Sequence, residues 1–528
     1  MRANLLTEDV SDLHCGVAIV GAGVAGQTLA QSLAGRGHDV LLIEAGGRDF
    51  DARTQELARG FNVGEDYYDL VTTRLRLFGG TAAIWGGRCA ELDPIDFEPR
   101  DFLAHSGWPI RKADLDPYYA ECFADLGLVR PGGTDLWNLT GRERPGFDPA
   151  RLDADMWVFD EFGERFTDLE RGNLSQARMV LNASVTEIAV GGQGEVTGLT
   201  LSSLSGRTAN VTAKRYVIAS GAIDAVRLLM GSVSSRPDGL GNEHDVLGRY
   251  FMEHPHARGG EVVVESLAKG ITLLPRAIRH DGRRYAAYLR PAEALQREAG
   301  ILNTSLSIAP RRHEGEALER FRAASNKLKH DLPSSRFWRS SYKAVKNLAV
   351  KGLEWTDPWS SVLNMKLSGG KMGLYAIIRA EQAPNPDSRV TLSDEADALG
   401  QRLPVLDWNF LDIDRRSVRV LMETLDAELR RLGLGRAEPS DWLSAPGVDW
   451  KTDPLISAHP IGGYHHMGGT RMGDDPRTSV VDADCRLHAS PNLYVASSAV
   501  FPTSGWANPT VTIMALAKRL GDHLHEQG

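Results

Sequence analysis

The stretch CGVAIVGAGVAGQTLAQSLAGRGHDVLLIEAGG, residues 15–47, decides the fold. Residues 17–20 are a short apolar run of the kind that makes a buried strand. Gly21, Gly23 and Gly26 then complete G-x-G-x-x-G, and Ala25, Leu29 and Leu33 follow at helical spacing. A second apolar run, 40–43, ends on Glu44, eighteen residues after Gly26. The first glycine permits the tight turn, the second lets backbone approach a pyrophosphate, and the third lets helix pack on strand. The helix start offers unpaired N–H groups and a positive dipole to the anion. Glu44 is placed to accept hydrogen bonds from both ribose hydroxyls. The pattern predicts a Rossmann-like strand–turn–helix–strand unit that binds a dinucleotide. It does not separate FAD from NAD, although an acid at position 44 disfavours NADP.

Working outward, 528 residues are enough for two or three domains, and a net charge of −9 argues against a general nucleic-acid binder. Cys15, Cys89, Cys122 and Cys485 are scattered, with no CxxC pair. Zinc, iron–sulfur and disulfide-framework readings therefore lack support, and no metal is expected. No apolar run reaches membrane-spanning length, and residues 1–14 lack the apolar core of a signal peptide. A cytoplasmic setting is the expectation.

A second glycine cluster, RLFGGTAAIWGGRCAELDPIDF (76–97), sets Gly79, Gly80, Gly86 and Gly87 around Thr81 and Trp85. Glycine at this density suggests backbone packed against a flat ligand. From here the chain resembles the glucose–methanol–choline (GMC) family of flavin oxidoreductases. GGTAAIWGG is similar to that family's loop beside the isoalloxazine. The segments 215–232, 247–255, 381–393 and 465–524 follow the family's order over nearly the whole chain. The resemblance implies an α/β fold: a Rossmann-like FAD domain plus a substrate domain on a large, mostly antiparallel sheet. The implied division is 1–255 for the FAD domain, 256–454 for the substrate domain, and 455–528 for the return to the first. Implied cofactor contacts are Gly21, Gly23, Gly26, Glu44, Gly80, Thr81, Trp85, Gly86, Val185, Pro509 and Thr510. Because GGTAAIWGG holds no histidine, the FAD is expected to be noncovalent.

The same resemblance pairs His465 with Asn508 as the catalytic residues, His465 as the base and Asn508 as the group that orients the hydroxyl. Neutral imidazole suits proton removal near neutral pH, whereas an amide cannot act as a base there. Adjacent residues of an extended segment point to opposite sides, so only one of His465 and His466 is expected at the substrate. His459 and His488 read as structural. Asn508, Pro509 and Thr510 read as opening a last helix, Val511 to Leu524, with Pro509 or Thr510 at its first turn and its start facing the flavin.

The activity implied is oxidation of a CH–OH group by hydride transfer to flavin, with a sugar, glycoside or polyol favoured over a non-sugar alcohol. A lyase of the same family is the remote alternative. Expected partners are this small molecule and an electron acceptor of the oxygen, quinone or protein class, with no nucleic acid. A dedicated electron-transfer protein would be a separate subunit. Within the substrate domain, GEVVVESL, GITLLPRAI and GLYAIIRA read as strands. Residues 311–351 form a basic insertion with eleven Lys/Arg against four Asp/Glu. The amphipathic stripe within 336–353 reads as a lid over its own protein rather than a membrane contact.

Overall fold

A computed structural model describes residues 2–10, 12–161, 165–234, 236–312, 372–444, 450–452 and 464–528. The opening motif folds as its spacing requires. Strand Leu13–Val20 runs into helix Val24–Ala34 and then strand Val40–Ile43. These strands lie in parallel register, Val20 beside Ile43, in an eight-stranded sheet. Arg178–Leu181 and Arg2–Asn4 extend it on one side, both parallel. On the other side, strand Thr208–Ile218 pairs parallel with Leu13–Val20 and antiparallel with Val196–Ser202. The short strand Leu493–Val495 adds to Thr208–Ile218 in parallel. The end of the chain thus returns to the sheet that its beginning nucleates. Helix Thr510–Glu526 follows, its Gly521 packed close to Ser32 and Leu29 of the first helix.

A second eight-stranded sheet holds, in order, Gly435–Pro439, His256–Val264, Met372–Arg379, Ser305–Arg312, Arg283–Pro291, Leu152–Phe159 and Arg88–Cys89, with Ile278–His280 beside Arg283–Pro291. Every pairing in it is antiparallel. Two of its strands, Arg88–Cys89 and Leu152–Phe159, come from the first 255 residues. Helix Asp412–Arg431 covers one face, burying Val418, Leu421, Met422, Leu425 and Leu429 at helical spacing. A Cβ on Gly260 would fall 2.2 Å from the Glu438 carbonyl oxygen and 2.9 Å from Met422 Cε, so only glycine allows this close packing.

One expected strand is corrected. GITLLPRAI contains the end of a helix, Leu267–Leu273, capped by the Ser266 hydroxyl, and only Ile278 of it belongs to a strand. A cap and a packed Gly270 outweigh the β-propensity of a short apolar run. His459, the 336–353 stripe and all of the basic insertion beyond Arg312 lie outside the described residues. Among the described residues, no helix is long and apolar enough to cross a membrane.

Candidate active site

A cavity of about 530 Å³ opens at the C-terminal ends of the parallel strands, where Val20, Ile43 and Ala219 reach its wall. This is the crevice in which doubly wound sheets hold ligands. Gly21, Gly23 and Glu44 line one part, and His465 and Asn508 another. Gly80, Thr81, Trp85, Gly86, Val185, Pro509 and Thr510 also line it. Gly26 does not. A Cβ there would sit 1.9 Å from the Gly21 carbonyl oxygen, so its place is helix-to-strand contact behind the cavity. At Gly23, by contrast, an added Cβ would meet nothing within 4 Å, leaving the backbone open to a ligand.

Glu44 Oε2 accepts from Ala22 N–H and Oε1 from Gly46 N–H, each at 2.8 Å, which clamps the glycine turn to the second strand. Burial pushes its carboxyl up to about 7. The glycine-rich loop takes a short 3₁₀ turn, Gly80–Ile84. Trp85 packs edge-on against Phe166, and its Nε1 is buried without a partner. An open glycine cradle, an acid beside it and an orphaned indole donor along one cavity fit an elongated dinucleotide such as FAD.

His465 sits where two distant segments meet. Met252 and Met467 exchange backbone hydrogen bonds at 2.9 Å, which lays 250–254 against 465–469. Gly468 makes this possible: φ is +73°, and a Cβ would fall 1.9 Å from the Tyr250 carbonyl oxygen. The His465 backbone N–H donates to both Glu253 oxygens, at 2.8 and 2.9 Å. Tyr67 donates its hydroxyl to Glu253 Oε2 at 2.9 Å, so the Tyr67 oxygen accepts from His466 Nε2–H, also at 2.9 Å. His466 therefore braces Glu253 through Tyr67, and both His465 and His466 line the cavity, where only one of them was expected. Burial pushes the Glu253 carboxyl up to about 7 and His466 down to about 3.

The tautomer of His465 follows from its neighbours. His254 Nε2 faces the Gly505 carbonyl at 2.9 Å and the Ser504 carbonyl at 3.4 Å, so that nitrogen carries a proton. Burial holds His254 near a pKa of about 4, leaving Nδ1 as a lone pair. His465 Nδ1 lies 3.0 Å from that lone pair and must donate to it. His465 Nε2 then carries the lone pair, which accepts from Asn508 Nδ2–H at 3.2 Å. Burial, then the neighbouring His254, His256 and Arg379, hold the His465 imidazole well below its ordinary basicity. His254 and Glu253 were not singled out in the sequence, and only the family-like segment 247–255 contains them. His488 bonds to the Ser479 hydroxyl and the Gly473 carbonyl, a structural setting.

Two family models match: FAD dependent oxidoreductase over residues 16–277 and GMC oxidoreductase over 384–517. The chain is 23% identical to the fructose dehydrogenase large subunit of Gluconobacter japonicus, covering 97% of each chain. It is 25% identical to paromamine 6'-oxidase of Streptomyces fradiae, over 95% of this chain and 90% of that one. Among solved structures it resembles pyridoxine 4-oxidase from Mesorbium loti, with a TM-score of 0.54, 15% identity, and 97% and 99% coverage. The two matched stretches are the ones that build the glycine cradle and the His465–Asn508 pair, and the chain belongs to the GMC family of FAD-dependent oxidoreductases.

Proposed function

We propose that this enzyme oxidises a CH–OH group of a small sugar, glycoside or polyol to a carbonyl, with His465 as the base. The observation that carries this reading is the lone pair of His465 Nε2 beside Asn508 Nδ2–H, on the cavity that the glycine cradle also lines. The names of relatives support the substrate class: fructose dehydrogenase, paromamine 6'-oxidase and C-glycoside 3-oxidase. A 2-methyl-1,2-propanediol dehydrogenase at 24% identity keeps a non-sugar alcohol as the second reading.

His465 Nε2 takes the hydroxyl proton as the carbon–oxygen double bond forms. Asn508 holds the substrate oxygen, its Nδ2–H donating to one lone pair so that the O–H points at the imidazole. Because His465 is held well below ordinary basicity, it stays neutral, and ready to accept a proton, across the physiological range. Bound FAD supplies the acceptor for the hydride and its two electrons. Gly21 and Gly23 would take its pyrophosphate, Glu44 its ribose, and the start of helix Thr510–Glu526 the pyrimidine edge of its ring. With no histidine in the Gly80–Gly86 loop, the FAD is read as noncovalent. We read 1–255 and 455–528 as the FAD domain, with strands Arg88–Cys89 and Leu152–Phe159 crossing to the substrate sheet of 256–454. The four scattered cysteines, with no CxxC pair, keep a cytoplasmic setting as our reading.

The test is anaerobic addition of sugars, polyols and simple alcohols to the purified yellow protein. Bleaching of the flavin band, at roughly 450 nm as for any oxidised flavin, is expected with at least one sugar or polyol. Failure across the whole panel would remove the proposal.

A further inference from the structure

Three cationic or polar side chains of the second sheet line the same cavity as His465. His256 and Arg379 are register partners on neighbouring strands, and Arg88 lies at the far edge of the sheet. Both guanidiniums lie over one indole, Arg88 at 5.6 Å and Arg379 at 5.3 Å from the Trp157 ring centre. Among the described residues, neither Arg88 nor Arg379 meets a carboxylate or a hydrogen-bond acceptor through its side chain. Arg88 Nε, Arg379 Nη1 and His256 Nε2 are buried without a partner. Arg379, Arg284 and Arg276 disfavour the charge on Arg88, and Arg311 and Arg276 that on Arg379. Burial and this mutual repulsion lower the basicity of both groups.

Buried charge is costly unless it is paired, and a guanidinium is the side chain that best matches a carboxylate or phosphate. Aromatic stacking fixes the planes of the two forks but supplies no counter-charge. Among the described residues none supplies that partner, and all three side chains line the cavity that His465 also lines. We propose that Arg88, Arg379 and His256 form an anion-binding subsite, so that the alcohol oxidised here carries a carboxylate or phosphate group. This rests on the reading of His465 as the base and names the class of substrate for it. It also has a chemical consequence. Arg379 weakens the His465 base. An anion seated on Arg379 cancels that charge, so the base strengthens as the substrate arrives.

The test titrates wild-type, Arg379→Gln, Arg379→Lys and Arg88→Gln holoenzymes with oxalate, inorganic phosphate and neutral ethylene glycol at matched ionic strength. The flavin difference spectrum and calorimetry report binding without turnover. Saturable binding of one anion to the wild type is expected, and the tighter of the two identifies the group. Each glutamine variant weakens it by about 30-fold or more, with lysine intermediate. Ligand-free glutamine variants melt no lower than the wild type, since an unpaired buried charge has gone. Turnover of gluconate against glucitol, which differ in one carboxylate, favours gluconate in the wild type and loses that preference in the variants. The subsite is refuted if neither anion saturates on the wild type, or if binding is unchanged in both glutamine variants. Arginine-dependent binding without bleaching by any alcohol leaves the subsite standing and removes the CH–OH reading. Bleaching by neutral polyols with no anion binding does the reverse.

Discussion

Replacing His254 by phenylalanine tests the chain of protons that sets up the proposed base. The ring keeps its shape and loses both nitrogens, so packing between Gly505 and His465 changes little. In the wild type, the wrong tautomer of His465 would face two lone pairs across 3.0 Å, and the correct one makes a hydrogen bond there. In the variant the preference inverts. The correct tautomer now buries an N–H with no acceptor, at a cost of about 1–3 kcal/mol. The wrong one puts its proton on Nε2, where Asn508 can turn its amide oxygen to accept it. At 1.36 kcal/mol per decade, flavin reduction by substrate slows by roughly 5- to 150-fold. His254→Asn supplies the control, because its Oδ1 falls where Nδ1 was and can accept from His465 Nδ1–H. Stopped-flow anaerobic reduction of flavin-replete variants is the assay, with rate constants taken at saturating substrate. The reasoning fails if the phenylalanine variant keeps a rate within about twofold of wild type, or if asparagine restores nothing while the fold and flavin content are intact.

Two further outcomes follow from the same geometry. Gly23→Ala and Gly26→Ala are expected to separate binding from folding. The first leaves the melting temperature of the flavin-free protein unchanged and weakens FAD binding. The second puts a methyl 1.9 Å from the Gly21 carbonyl and costs about 1–3 kcal/mol or more of stability, read by thermal melting. The buried His254 also links stability to pH. Its folded pKa of about 4 lies below the ordinary 6.5, so the unfolded chain binds the proton more tightly. Stability is full above pH 6.5 and falls as pH drops toward 4, by at most about 3 kcal/mol from this group. Denaturation curves over that range should show a shallower loss in His254→Asn, and equal slopes would contradict the assignment.

How much of this was legible in the sequence depends on how local each feature is. The strand–glycine–helix–strand unit came through because each part is fixed by neighbours a few residues away: β-branched runs, three glycines at set spacing, an acid at the next strand's end. Gly26 shows the limit even there, since the motif names three glycines and only contact with the Gly21 carbonyl separates packing from ligand approach. GITLLPRAI was misread for a related reason. A short apolar run has no period of its own, and Ser266 and the packing of Gly270 on Val264 decide for helix. His465 and Asn508 were legible only through resemblance, because nothing in a Gly-rich turn announces that an imidazole will meet an amide 43 residues later.

His254 was invisible for a stronger reason. Its role exists only as a relation between four atoms contributed by segments 211 and 251 residues apart. Sequence can nominate a base, but which of its nitrogens is basic is settled by the far end of a hydrogen-bond chain, here a backbone carbonyl at Gly505. The same holds with opposite sign at Arg88 and Arg379. An arginine in a strand is ordinarily satisfied by some distant carboxylate, and only the assembled sheet reveals that, among the described residues, these two meet none. Proton order on one wall of the cavity and unspent charge on another are thus both long-range properties. Both bear on the proposed substrate site, which is why variants at His254 and Arg379 discriminate between mechanisms better than removal of His465 itself. Loss of the proposed base abolishes the reaction under any scheme. Loss of its orienting partner slows the reaction, with rescue by asparagine, only if the lone pair sits on Nε2.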